Sequence, residues 1–492
     1  MKRRESLKLI NTLILGVSMQ SLAGNWMKDE KWIIMVNEID AFAKSKDIEC
    51  IIDKLSLQRY AKDFGNIYDN PPQAVLLPDS LEKLKAILSF VNQKKLVIVA
   101  RGAGHSQSGQ SLPVKNGLTI DLSKFNKVGN IEHGPGNIVT ISCNAGTTLR
   151  QLSEMAATSG YMLPALPFYL ELTIGGVLSA GGIGSASHQH GLLVSNVVEL
   201  EVLKADGSIV TCTAKSNQEV FNSVLGTSGR FGIITQVRLK LIESKKYFRT
   251  LRLVYNKIDQ WLTDYHFLLT KDISNLQGVC VRSKDDPAIW NFMMEVTLNA
   301  ESEDGFRQYN EIISKLTFNA QLKPSDFTSM EFLDRYKDRF EQMRQQGRFA
   351  QFHPILEFII SADKARVIVE KTLQTLPPAY EDGFRLIYIN KKNLPTYVMV
   401  PQAEQLCMLA ILPTGIAEQH LEECIRAAKT LHEYAMTIHA KRYLSGWVGM
   451  MDSQEFKNHY GRKASELVAL KKKMDPGNVF KSLFAEKFYG WS

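Results

Sequence analysis

Close cysteine pairs, basic stripes, nucleotide-loop signatures and internal repeats are all missing from this chain of 492 residues. Its six cysteines, Cys50, Cys143, Cys212, Cys280, Cys407 and Cys424, stand far apart with no CxxC spacing. That argues against a zinc site or a disulfide framework and for buried thiols. No dense run of Lys and Arg with interleaved aromatics occurs, and a formal charge of +8 is a weak field over so large a surface. Nucleic acid is therefore not an expected partner, and a mild preference for anionic partners is the most the charge supports. No GKS or GKT follows a glycine-rich loop, which excludes a P-loop. No GxGxxG opens a long helix, which excludes a Rossmann fingerprint. Beyond the N-terminus no run is long and apolar enough to span a bilayer, so no span is expected in the mature chain.

What is present is an ordinary globular composition, 45% hydrophobic and 22% charged, at a length that exceeds one core. Two folding units are expected. At the N-terminus Lys2, Arg3, Arg4 and Lys8 precede the apolar run Leu9 to Met19 and then Ser21-Leu-Ala23, the layout of an export signal. The Arg3-Arg4 pair suits a twin-arginine signal, although a Ser stands where that signal has Phe. An ordinary N-terminal helix is the alternative. A periplasmic or secreted location follows from the first reading.

Along the chain, short elements alternate. A helix is expected within 38–59, strands at Ala74–Pro78, Leu96–Ala100, Leu118–Leu122 and Ile138–Cys143, and helices from Ser80 to Asn92 and over Thr148–Ala156. Ala205-Asp-Gly207 reads as a hairpin turn between Val197–Leu203 and Ile209–Cys212. After Glu243 glycines thin out and charged and aromatic residues become denser. Strands are expected at 249–255, 292–298, 354–360, 384–389 and 406–412, and helices at 302–316, 333–344, 363–375 and 417–435, with a last helix near 462–473. This is the pattern of a second α+β unit.

Two glycine-rich stretches carry the chemistry. Arg101-Gly-Ala-Gly-His-Ser-Gln-Ser-Gly-Gln110 follows a strand, and its glycines can present backbone N–H groups to phosphates. Spacing alone leaves His105 three roles: metal ligand, loop cap or cofactor anchor. Leu172 to Gly184 is the second stretch, with a helix start after Gly175-Gly176 whose free N–H groups could meet pyrophosphate. His188-Gln-His190 places two rings on one side of a strand, without a third metal ligand in register; a loop packed over the cofactor is expected. Gly226 to Gly232 is a further backbone-rich loop before a strand. Together they point to an enclosed cofactor.

These residues resemble the FAD-linked oxidoreductases of the vanillyl-alcohol-oxidase superfamily with a PCMH-type FAD domain, and within it the cytokinin dehydrogenases. The resemblance rests on Gly104-His-Ser106 with Gly109-Gln110, on LTxGGxLSxxG from Leu172 to Gly182, and on His190-Gly, Ser195-Asn-Val and Glu199-Leu200-Glu-Val202. It continues through Gly229 to Thr235, His353-Pro354, Tyr443-Leu444, His459 with Gly461, and Asp475-Pro476. It implies an α+β, two-domain PCMH-type FAD-binding fold with a separate α+β substrate domain over the flavin. The expected divisions are an export signal at 1–23, an FAD-binding domain at 38–243, a substrate-binding domain at 244–436, and a C-terminal segment, 437–492, returning to the FAD domain. The flavin would be joined covalently to His105, with no second attachment through cysteine.

The resemblance assigns Arg101, Gly102, Ala103, Gly104, His105, Ser106, Gln110, Thr173, Gly175, Gly176, Ser179, Gly181, Gly184, Ile233 and Ile234 to FAD, and no metal. Where the family has an acid before its Tyr-Leu pair, which takes a proton from the substrate amine, this chain has Phe168, followed by Tyr169-Leu170. The base must stand elsewhere; Tyr169 and Glu295 are the catalytic candidates, and Glu171 is expected to point away. The activity expected is hydride transfer from a small amine or alcohol to flavin N5, with oxygen or a quinone-like molecule as acceptor. Cytokinin dehydrogenase activity with a relocated base, or a degenerate flavoprotein that binds a ligand without turnover, are the alternatives.

Overall fold

The computed structural model describes residues 30–283, 286 and 288–489. The export-signal reading of residues 1–23 lies outside them. The fold is three sheets with helices between and around them. The first is four-stranded, in the order Glu49–Ile51, Val75–Leu77, Leu118–Asp121, Ile98–Arg101, and parallel except at its first pair. The second is antiparallel and carries Val128–His133, Val139–Asn144, Ile233–Glu243, Val197–Leu203 and Ile209–Cys212, with Tyr161–Met162 added on Ile233–Glu243. Gly207 closes the hairpin at φ 82°, a conformation Gly adopts without steric cost.

The third sheet is nine-stranded and antiparallel, and its centre runs Trp290–Ala300, Asn275–Arg282, Phe384–Ile389, Leu406–Ile411, Leu356–Ser361. Both its faces are covered. Leu356, Phe358 and Ile360 pack with Phe384, Leu386, Cys407 and Leu409 against the helices Ile258–Leu269, Ala365–Thr375 and Leu421–Thr437. The alternate residues Ile359, Ile387 and Met408 join the core of the first two sheets. One hydrophobic cluster thus crosses the boundary expected at residue 243, and the last stretch of chain meets the first sheet: Ile98 N–H donates to the Val479 carbonyl at 2.8 Å, and Lys481 N–H to that of Ile98 at 2.9 Å.

Local signals placed most elements. Ser80 caps Leu81–Lys94, and Thr148 forms a capping box with Gln151 ahead of Leu149–Ala157. Four expectations are corrected. The first described helix is Glu30–Ser45, which begins eight residues before the 38–59 region in which a helix was expected. The region 302–316 holds a 3₁₀ turn, Glu303–Tyr309, and one helical turn, Asn310–Ile313, in place of one helix. The helix expected at 333–344 is two, Ser329–Leu333 and Lys337–Gln345. Asn275–Arg282 is a central strand that the pattern did not announce. Its Gly278 is explained by Trp261, whose indole would lie 2.2 Å from an added Cβ.

Candidate active site

A cavity of about 310 Å³ lies between the glycine-rich stretches and the inward face of the nine-stranded sheet. Of the residues assigned to FAD, Arg101 through Ser106, Gln110, Thr173, Gly175, Gly176, Ser179, Ile233 and Ile234 line it. Gly181 and Gly184 do not. Gly184 is required by packing, since an added Cβ would stand 1.8 Å from the Leu166 carbonyl oxygen.

The first loop is held from below. Asp63 is buried and accepts from Ser106 Oγ at 2.9 Å and Gly109 N–H at 2.8 Å. Phe64 and Gly65 N–H groups donate to the Gly104 and Ser106 carbonyls at 3.0 and 3.1 Å. Arg101 donates to the Lys62 carbonyl at 3.0 Å and runs beneath Gly104, whose φ is +67°. The carbonyls of the loop are therefore turned into the protein, while the N–H groups of Gly104, His105 and Ser106 meet no acceptor among the described residues. Gly102 lets the loop touch the second stretch: an added Cβ would meet Thr173 Oγ1 at 1.9 Å. At Gly102, then, the missing side chain makes room for the protein itself.

The second stretch departs from the expectation of a freely donating helix start. The helix is Ile174–Ala180, and its first two amides are committed, Ile174 N–H to the Thr147 carbonyl at 2.8 Å and Gly175 N–H to that of Ala145 at 2.9 Å. Gly176, on the cavity wall, keeps its N–H without an acceptor among the described residues. Ser179 Oγ donates back to the Gly175 carbonyl at 2.8 Å, and Gln110 ties Ser108 N–H to the Leu444 carbonyl, at 2.8 and 2.9 Å. Their polar atoms are already used within the chain.

His105 stacks on Phe64 with ring centroids 3.8 Å apart, and Phe64 stacks in turn on His353 at 3.9 Å. Burial, then His353 and Arg344, push the His105 imidazole down to about 3, so it is neutral at physiological pH. Neither ring nitrogen has a hydrogen-bond partner among the described residues. A neutral imidazole with an open nitrogen, beside unpaired amides in a glycine-rich wall, fits a flavin and its phosphates. No group of three metal-ligating side chains occurs among the described residues.

Tyr169 stands 4.9 Å from His105, between it and Phe340 at 4.2 Å, and accepts from Arg344. Burial raises its pKa, so the phenol is kept protonated. Glu295 is not on the cavity wall. It accepts from Arg252 at 3.3 Å, from Gln277, and from Tyr336 Oη at 3.3 Å, and Tyr336 stands between it and the cavity. Glu171 pairs with Arg150 at 2.5 Å, pointing away as expected. His188 and His190 lie on a helical turn, Ser187–His190, rather than on a strand. His188 bridges the Ser185 and Ile273 carbonyls, away from the cavity.

The carboxylate that does line the cavity is Glu357, the single acid among the lining residues. It projects from Leu356–Ser361 with Ile359, opposite to Leu356 and Phe358. Ser445 Oγ donates to it at 2.5 Å. Burial pushes its carboxyl up to about 7, against the Ser445 hydrogen bond and the Arg442 charge, both of which favour ionisation. Arg339 and Arg385 line the same region. The pattern that could have revealed Glu357 and Arg385 is a charge inside an otherwise apolar strand, Ile355-Leu-Glu-Phe-Ile-Ile360 and Phe384-Arg-Leu-Ile-Tyr-Ile389.

Comparison with known proteins agrees with this arrangement. Residues 72–213 match the family described as FAD binding domain, and residues 256–482 the family described as cytokinin dehydrogenase 1, FAD and cytokinin binding. The chain is 26% identical over 453 residues to cytokinin dehydrogenase 9 of Oryza sativa subsp. japonica, covering 85% of this chain and 86% of that one. It is 25% identical over 482 residues to cytokinin dehydrogenase 1 of Arabidopsis thaliana, covering 89% and 83%. It is also 26% identical over 440 residues to an uncharacterized oxidoreductase, ORF5 in the fasciation locus of Rhodococcoides fascians, covering 87% and 96%. No described helix is long and apolar enough to cross a membrane. With an FAD-binding domain and a cytokinin-dehydrogenase-like domain built around one cavity, the chain is an FAD-dependent oxidoreductase, consistent with the vanillyl-alcohol-oxidase superfamily.

Proposed function

We propose that this enzyme oxidises a small amine or alcohol at a C–H bond, with FAD joined covalently through His105 and Glu357 taking the accompanying N–H or O–H proton. The observation that carries this reading is a single cavity with His105 on one wall and one carboxylate, Glu357, on another. When bound, FAD would supply the two-electron acceptor, its N5 the site for the substrate hydride. The open imidazole nitrogen of His105 is the attachment point, and the unpaired amides of Gly104 to Ser106 and Gly176 hold the nucleotide. Glu357, balanced near neutrality, serves as base in place of the missing acid at Phe168, a role that Glu295 behind Tyr336 is not placed to fill. Oxygen or a quinone-like molecule takes the electrons onward.

The test is the visible spectrum before and after acid precipitation. A yellow pellet is expected from the native protein and a colourless one from His105→Ala. Acid-stable flavin in that variant would sink the attachment. A second reading, cytokinin dehydrogenase activity with Glu357 as the relocated base, is favoured by the match over residues 256–482. Anaerobic bleaching of the flavin by N6-isopentenyl adenine would support it, and an unchanged spectrum would remove it. Residues 1–23 are proposed as an export signal on the strength of Arg3-Arg4 and the apolar run that follows. A mature N-terminus just beyond Ala23 in the exported protein is the expected result; Met1 retained there would refute it.

A further inference from the structure

The inward face of the nine-stranded sheet carries one row that decides what can bind. Ala410 is paired in register with Glu357 on one side and with Arg385 on the other. All three therefore point to the same face, and the acid and the guanidinium start two strand spacings apart, roughly 10 Å. Between them stands only a methyl group. They make no ion pair with each other; both line the cavity, on either side of the buried Ala410.

Arg385 is 8% exposed, and its Nε and Nη1 are buried with no hydrogen-bond partner among the described residues. Its guanidinium lies over the Phe168 ring, 5.6 Å from the centroid. That contact uses the face of the guanidinium and leaves the edge, where the N–H groups are, unmet. Leaving a buried charged donor unpaired is costly, which calls for a partner that arrives with the substrate. The neighbouring charges do not supply one. Arg339 donates to the Leu412 carbonyl at 3.1 Å and forms an ion pair with Asp382 at 3.2 Å, and the charge of Arg385 helps burial to push it down to about 10. Arg101 is held at the far loop by the Lys62 carbonyl.

We propose that the substrate of this enzyme carries a carboxylate, which the guanidinium of Arg385 receives at the cavity wall, and that it extends from there toward Glu357. A planar carboxylate matches the fork of a guanidinium, whereas a neutral amide or a primary amine leaves part of it unpaired. The aromatic wall of Phe168, Tyr336 and Phe340 suits a flat or apolar body for such an acid. The inference rests on the reading of this cavity as the site of oxidation, and names the substrate class for it.

The experiment is calorimetric titration of the purified holoprotein with benzoate, with benzamide as the neutral counterpart, and with inorganic phosphate. No turnover is needed, and the flavin content of each preparation is read separately from its visible spectrum. Benzoate is expected to bind about 10- to 100-fold more tightly than benzamide. Arg385→Gln is expected to bring the two to equal affinity, and Arg385→Lys to keep part of the preference. Equal affinities in the native protein overturn the proposal, whatever the variants do. So does phosphate binding more tightly than benzoate. An Arg385→Gln protein whose flavin spectrum shifts while its preference for benzoate persists gives Arg385 to the cofactor instead. A protein that prefers benzoate but releases its flavin in acid contradicts the covalent attachment alone; a yellow pellet without the preference contradicts the carboxylate alone.

Discussion

Glu357 is the residue on which the proposed chemistry turns, and its two protonation states make separate predictions. As the base it must be ionised, so kcat/KM for any substrate of the enzyme is expected to rise with pH through about 7. Glu357→Gln should lower kcat by about 10²–10⁴-fold and remove that limb; an unchanged pH profile would exclude the role. Stability runs the other way. Folding raises the carboxyl from its ordinary 4.5, so the contribution of the protonated form is complete below that value and is lost as pH rises through about 7. Thermal melts should show Glu357→Gln gaining on the native protein at pH 8, with no such gain at pH 4. His105 was visible in the sequence because it sits among glycines in a recognisable loop. Glu357 and Glu295 were not separable there: both are acids inside strands, and only the covering of each face shows that Glu357 meets the cavity while Glu295 meets Arg252, Gln277 and Tyr336.

At the scale of elements, the site depends on two close approaches. Where the first loop crosses the start of Ile174–Ala180, a Cβ on Gly102 would stand 1.9 Å from Thr173 Oγ1. Gly102→Ala should destabilise the holoprotein by about 1–3 kcal/mol and lower its flavin content. Thr173→Ala in the same chain should restore part of both, because it removes the atom nearest the new methyl. Independent, additive effects in thermal melts and flavin content would show that the contact is not the cause. The second approach is the end of the helix Lys463–Met474. Buried Lys471 donates to Asp475 at 2.6 Å and to the Arg230 and Phe480 carbonyls, both at 2.8 Å, while Asp475 accepts from Val479 and Phe480 N–H groups at 2.8 and 2.9 Å. Lys471→Met leaves that carboxylate buried without its cation and is expected to cost about 3–5 kcal/mol in denaturant unfolding. Asp475-Pro476 was visible in the sequence as part of the family resemblance. Its partner Lys471 was not, because three successive lysines, 471 to 473, look alike until packing buries one of them.

For the whole molecule, the decisive fact is that one core serves two units. Ile359, Ile387 and Met408 of the large sheet share a cluster with Leu178, Val177 and Ile234 of the glycine-rich side. A fragment ending at residue 243 would expose that face, and a chain ending at 474 would strip Val479 and Lys481 from Ile98. Neither is expected to retain flavin, and intact holoprotein should unfold in a single calorimetric transition. Two transitions, or a yellow 30–243 fragment, would show that the units are independent. The change in texture after Glu243 suggested a second unit. It did not suggest a shared core, since composition records what each segment contains and not which faces meet.

By itself the sequence determined the local features: caps at Ser80 and Thr148, the Asp-Gly hairpin, and two glycine-rich stretches with His105 between strand and turn. These depend on steric and hydrogen-bonding rules that act within a few residues. Tertiary structure alone decided the polar pattern of the cavity. The strands Leu356–Ser361, Phe384–Ile389 and Leu406–Ile411 are buried on both faces, so hydropathy does not alternate along them and cannot say which side is which. Pairing in register fixes that choice for all three at once, and it is what sets Glu357, Ala410 and Arg385 in one row.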